Sequence, residues 1–354
     1  MTDTAKIIER AERSVVTALG KAPKSVQRLI GGRPPTSDGV PIEPEVGAAL
    51  RLLSLVPGPS FEDLPVDRAR AQIDAEAAVF GGPPIPMFEV RDLRIPTPEG
   101  SIPGRLYRAE ARDADRLLIY FHGGGWVVGS LHSADTACRF LARNAGVSVL
   151  SVDYRLAPEH RFPAAPDDAL AAFRFAVDQA EAWGHDPQSI AVGGDSAGGN
   201  LAAVLCQDLR ALGELRPAFQ LLFFPVTDLT TKRQSYREFA DGFFLTEKQM
   251  DWYRDNYLGD HPASDPRVSP LLAEDLADLP PAYVAVSGFD VLRDEGEAYA
   301  RKMAAAGVRV ALRRHDRLIH AFVNSTGVGH SSAEAFLEAC GALRMGIGGG
   351  TAAR

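Results

Sequence analysis

The stretch Ser189-Ile-Ala-Val-Gly-Gly-Asp-Ser196-Ala-Gly-Gly-Asn-Leu201 decides the fold. Residues 189–192 are short and apolar like a buried strand, and 198–212 carry the apolar spacing of a helix. A serine on the turn between such elements, in the pattern Gly-x-Ser-x-Gly, reads as a nucleophile elbow. The turn holds the serine at unusual backbone angles, so the positions two before and two after it must be small, and Gly194 and Gly198 meet that need. The elbow also sets Ser196 at a helix N-terminus, where N–H groups and the macrodipole favour developing negative charge. The N–H of Ala197 then becomes one oxyanion donor. A plain glycine-rich turn is the alternative; the strand before and the helix after favour the nucleophile.

Upstream, His122-Gly-Gly-Gly-Trp126 directly follows the apolar run 117–121. Consecutive glycines let main-chain N–H groups approach a substrate oxygen with no Cβ in the way. A phosphate cradle would need G-x-x-x-x-G-K-[ST], and no lysine follows.

Further outward, the apolar runs 116–121, 147–152, 189–192, 219–224, 282–286 and 308–312 alternate with helical patterns at 133–144, 164–181, 198–212 and 295–306. This predicts an α/β fold, with a mostly parallel sheet covered on both faces. Residues 88–95 and 102–108 add a strand pair around a Pro/Gly turn, for about eight strands in all. Residues 1–80 read as short N-terminal helices, 81–227 and 269–345 as two parts of the core, and 346–354 as a flexible tail. Residues 228–268 interrupt the rhythm with Phe243, Phe244, Trp252, Tyr253 and Tyr257 and no strand pattern, which suggests a lid.

The motifs His-Gly-Gly-Gly-Trp126, Asp153-Tyr-Arg-Leu-Ala-Pro-Glu159 and Gly-Asp-Ser-Ala-Gly-Gly-Asn200 together resemble the bacterial hormone-sensitive-lipase-like carboxylesterases, from about residue 85 to the C-terminal helix. The resemblance implies an α/β-hydrolase fold and an oxyanion hole made by Gly124, Gly125 and Ala197, with His122 structural. It further implies that the N-terminal helices and the 228–268 insertion form a helical cap over the serine.

A serine nucleophile needs an imidazole to take its proton and a carboxylate to orient that imidazole. In this fold they follow in the order serine, acid, histidine. Asp290 ends an apolar segment, at the strand edge where parallel sheets collect catalytic groups. Its run Asp290-Val-Leu-Arg-Asp-Glu-Gly296 is similar to the family's Asp-Pro-Leu-Arg-Asp-Glu-Gly, whose first aspartate is the triad acid; Val291 replaces the proline. Asp228 is the runner-up acid. Asp294 and Glu295 read as helix-start charges and Asp153 as a buried turn former. The base is His320, because Leu318-Ile-His-Ala-Phe322 is similar to the family's Ile-His-Gly-Phe. Ala321 and Arg317 stand where glycines are usual. His315 is the rival base, otherwise an exposed polar residue, and His261 and His330 read as surface.

With 45% hydrophobic and 24% charged residues over 354, the chain can build a sizeable core. A net charge of -8 argues against a nucleic-acid partner, which demands a concentrated basic surface. No apolar run suits a membrane span, and the N-terminus lacks a secretory pattern, so no stable membrane association and a cytoplasmic location are expected. Cys138, Cys206 and Cys340 have no metal-ligand spacing and read as buried thiols. The expected chemistry is hydrolysis of short to medium acyl esters, small-molecule substrates, with neither metal nor cofactor. Trp126, Phe243, Phe244, Trp252, Tyr253 and Tyr257 are expected to line the acyl pocket. Amide or acetyl-group hydrolysis is the alternative, and a non-catalytic ligand receptor is a more distant one. A homodimer through an edge strand is a further expectation from the resemblance.

Overall fold

The computed structural model describes residues 3–55, 58–111 and 116–348. The N-terminal part holds helices α1 (Asp3–Lys21) and α2 (Lys24–Gly31), a two-residue ladder of β1 (Thr36–Ser37) with β2 (Val40–Pro41), then α3 (Pro44–Leu53) and α4 (Val66–Phe80). Prolines just before or at the first turn start α2, α3 and α4, where a missing N–H breaks no hydrogen bond.

An antiparallel pair follows, β3 (Glu89–Thr97) and β4 (Gly100–Arg108), and after it the alternation that the sequence predicts. Strands β5 (Leu117–Phe121), β6 (Ser148–Val152), β7 (Ile190–Asp195) and β8 (Gln220–Phe223) come with α5 (Asp135–Leu141), α6 (Ala164–Trp183) and α7 (Ala197–Leu212) between them. The insertion contributes α8 (Gln234–Glu238) and α9 (Glu247–Leu258). The chain then returns to the sheet through β9 (Ala282–Phe289), α10 (Arg293–Ala305), β10 (Val310–Ile319) and α11 (His330–Gly348).

Eight strands form one sheet in the order β10-β9-β8-β7-β5-β6-β4-β3. Neighbours from β10 through β6 are parallel, and β4 runs against both β6 and β3. The chain leaves β5 for β6 on one side and reaches β7 on the other, so the loops after β5 and β7 part at the carboxyl edge of the sheet. That is where open α/β sheets place their sites.

Strands β5, β6, β7, β8 and β9 are buried along their whole length, as continuous apolar runs covered on both faces should be. The edge strand β10 differs. It runs to Ile319, well past the expected 312, because its polar residues Arg313, Arg314 and His315 sit on a strand with one open side. The tail also differs in part: residues 346–348 close α11, with Ile347 buried, whereas 349–354 lie outside the described residues. All three cysteines are free and buried.

Candidate active site

Ser196 stands between β7 and α7 with φ 56° and ψ −117°, a conformation that an L-residue holds only under constraint from its surroundings. The constraint is backbone against backbone. A Cβ on Gly198 would lie 1.9 Å from the Phe121 carbonyl oxygen, and one on Gly194 would lie 2.4 Å from the same atom. The Ser196 N–H donates to Phe223 O at 2.9 Å, tying the elbow to β8.

His320 follows β10, and its Nδ1 lies 2.8 Å from Asp290 Oδ2. Both residues are buried. The other Asp290 oxygen accepts the Leu292 N–H at 2.9 Å, which orients the carboxylate, and Ser287 Oγ donates to Ile319 O at 2.8 Å beside the histidine. With its proton on Nδ1, the imidazole keeps Nε2 available to accept another. Phe224 packs on the ring at 4.5 Å between centroids.

The rival groups are engaged elsewhere. Asp228 accepts from Thr230 and pairs with Arg233 at 3.1 Å. His315 is half-buried against Phe322 rather than exposed, and burial pushes its pKa down to about 4. His261 pairs with Asp265, and His330 is exposed at the start of α11. Glu295 lies in the first turn of α10, as its reading as a helix-start acid expects, but it is fully buried: it accepts the N–H groups of Thr227 and Asp228, and burial pushes its pKa up to about 8.

The glycine loop after β5 is shaped by its surroundings. Gly124 and Gly125 have φ of +112° and +57°, and a Cβ on Gly125 would lie 2.1 Å from the Tyr253 ring. His122 stacks on Tyr154 at 4.3 Å. Asp195, just before the serine, gathers three donors: Tyr120 Oη at 2.7 Å, Gly123 N at 3.1 Å and Asn324 Nδ2 at 2.9 Å. One carboxylate therefore joins the elbow, the glycine loop and the loop that carries His320.

Above these groups lies a cavity of about 440 Å³, lined by Ser196, His320 and Gly123 to Gly125 below. Its roof comes from α3, α4 and α9, and Lys248 of α9 bonds Asp63 before α4 at 2.7 Å. Among the described residues, no cluster of three or more histidine, cysteine or acidic side chains is placed to hold a metal.

The α/β-hydrolase fold family matches residues 118–324, more than half of the chain. The chain belongs to the α/β-hydrolase family. The hydrolase is 43% identical to the carboxylic ester hydrolase LipN of Mycobacterium tuberculosis, over 93% of this chain and 90% of the relative. It is 41% identical to the ethyl acetate hydrolase of Pseudomonas putida, over 80% of this chain and 91% of that one. Among solved structures, an ester hydrolase from the metagenome of Lake Arreo, complexed with a bipyridine phosphonate derivative, superposes with a TM-score of 0.84 at 40% identity, covering 87% of this chain and 99% of that chain. A thermostable esterase from Pseudomonas putida superposes with a TM-score of 0.83 at 36% identity, covering 86% of this chain and 98% of that chain. The resemblance to the hormone-sensitive-lipase-like esterases thus extends over most of the hydrolase.

Of the six aromatic residues expected in the pocket of this hydrolase, Phe244 and Tyr253 line the cavity. Trp126 does not: its φ of +60° turns the ring away, to stack on Tyr257 at 4.1 Å, and both side chains are fully buried. Phe243 packs on Phe239 and Phe289, and Trp252 packs edge-on against Phe61. The remaining wall is N-terminal, with Leu50 and Leu53 from α3 and Ile73, Glu76 and Phe80 from α4. Periodicity marks these helices but not the face they turn to the serine. Arg317 brings no cation into the cavity; its guanidinium pairs with Glu43 at 2.8 Å. Ala321 adopts the left-handed conformation, φ +63°, that glycine would take freely. Among the described residues, no helix is long and apolar enough to cross a membrane.

Proposed function

We propose that the protein is a carboxylic ester hydrolase that acts on short to medium acyl esters through Ser196, His320 and Asp290. The observation that carries this reading is His320 Nδ1 held 2.8 Å from Asp290, with His320 lining the same cavity as Ser196. Ser196 Oγ attacks the ester carbonyl carbon while His320 takes its proton. Charge that develops on the carbonyl oxygen is met by the N–H groups of Gly124, Gly125 and Ala197, each such donor being worth about 2.7–4 kcal/mol of barrier. Collapse breaks the bond to the alcohol, which leaves with the proton from His320. Water then attacks the acyl-serine with His320 as base again, and the acid is released.

A roofed cavity of about 440 Å³, its lining mostly apolar, supports the short to medium acyl range. The N-terminal helices together with 228–268 act as its cap in this reading. The names of the relatives, an ethyl acetate hydrolase among them, favour esters over amides. Three free, buried cysteines agree with a cytoplasmic location. The test is an acyl-chain series of p-nitrophenyl esters with Ser196→Ala and His320→Ala as controls. A preference for butyrate or hexanoate lost in both variants is expected; full activity in Ser196→Ala, or a preference for emulsified long-chain triglycerides, refutes the assignment.

A further inference from the structure

The cavity over Ser196 is not uniformly apolar. Leu50, Leu53, Phe80 and Phe244 make one side of it, whereas Gln72 and Glu76, one turn apart on α4, present an amide and a carboxyl to the same space. Gln72 Nε2 donates to Glu76 Oε1 at 2.8 Å, which orients the carboxyl and leaves its second oxygen as an acceptor.

Among the described residues, no cation stands beside this group. Arg70, on the same helix, is spent on Val127 O, Ala157 O and Glu159, and Lys248 of α9 is held by Glu62 and Asp63. The buried phenol of Tyr253, whose ring covers Gly125, feels the charges of both Glu62 and Glu76. A carboxyl so placed loses hydration without gaining a counter-ion, and burial pushes its pKa up. In either protonation state it offers an oxygen acceptor, and an acceptor facing a ligand space is satisfied by a donor on the ligand.

We infer that the Gln72–Glu76 pair is a specificity subsite that accepts a hydroxyl or protonated amine on the arm of the ester remote from the carbonyl. The natural substrate class is then hydroxy- or amino-substituted esters rather than plain alkyl esters. The inference rests on the ester-hydrolase reading of the same cavity. It assigns the polar wall to selection and leaves the chemistry with the groups below. A site built to hydrogen-bond a substrate hydroxyl discriminates against the methyl isostere, because its own polar group is otherwise left unpaired.

The test compares kcat/KM for ω-hydroxyalkyl butyrates with alkyl butyrates in which methyl replaces the hydroxyl, and for the matching pair of ω-hydroxyacyl and acyl ethyl esters. Wild type, Glu76→Leu and Glu76→Gln are measured side by side. Wild type should favour the hydroxyl member on one arm, and Glu76→Leu should cut that ratio by about tenfold. Glu76→Gln, nearly isosteric and still an acceptor, should cut it by about threefold and carries the test if the leucine variant fails to fold. Equal ratios in wild type and variants on both arms, with the esters still turned over, overturn the subsite alone. Failure of the wild type to hydrolyse any of the esters overturns the ester-hydrolase reading, and this inference with it.

Discussion

Asn324 donates from Nδ2 to Asp195 Oδ2 at 2.9 Å, so the segment after His320 is pinned to the residue before Ser196. Tyr120 and Gly123 donate to the other oxygen of the same carboxylate. Asp195→Asn sets an amide donor among three existing donors and shifts the glycine loop or the histidine loop by a fraction of an ångström. Because misplacement on that scale is expensive in rate, kcat should fall by about 10- to 100-fold with a smaller change in KM. Steady-state kinetics on p-nitrophenyl butyrate, with a thermal melt to confirm folding, checks this. Asn324→Ala should show a weaker form of the same defect.

Gly125→Ala should inactivate the protein for two additive reasons. The alanine would have to adopt φ +57°, at roughly 1–2 kcal/mol, and its Cβ would meet the Tyr253 ring. The second effect is separable. Gly125→Ala combined with Tyr253→Ala should recover part of the lost kcat, whereas a double variant as dead as the single one would show that the ring contact is irrelevant.

Ala321→Gly removes a left-handed alanine beside the proposed base. Relief of roughly 1–2 kcal/mol of strain is offset in part by the greater freedom of glycine in the unfolded chain, leaving a net gain of about 0.5–1 kcal/mol. Urea denaturation should move to a higher midpoint with an unchanged slope.

Glu295 makes the stability of the fold dependent on pH. Burial first, then the charges of Asp228 and Asp290, push its pKa up from 4.5 to about 8, against two N–H donors that favour the anion. The folded state therefore binds this proton more tightly than the unfolded one. The contribution is complete below 4.5 and declines as pH rises toward about 8. Glu295→Gln keeps an acceptor for the Thr227 and Asp228 N–H groups without the titration. Its melting temperature should vary less than that of wild type between pH 5 and pH 8, and parallel profiles would count against the assignment.

Local chemistry was legible in the chain because it is dictated over short distances. The crowding around Ser196 requires glycine at 194 and 198, and the apolar runs announce the parallel strands that position it. The segments around Asp290 and His320 could be read from their motifs, and the fold brings the two side chains to 2.8 Å. Trp126 could not be read in this way. It is expected among the aromatics of the pocket wall, but with a positive φ its ring stacks on Tyr257, and no composition or periodicity reports a backbone sign. Nor did α3 and α4 declare which face covers the serine, since an amphipathic pattern says that a face is buried without saying against what. Asp195 did leave a signal: an acid with no basic neighbour inside an otherwise apolar turn must find donors from elsewhere in the fold.

The roof over the serine draws on α3, α4 and α9, while Ser196, Asp290 and His320 follow β7, β9 and β10 at the carboxyl edge of the sheet. On the proposed function, what the protein prefers and what it does to it are written on separate stretches of chain. A chimera that carries a relative's residues 44–80 and 241–258 on this sheet should therefore inherit that relative's tastes with this molecule's chemistry.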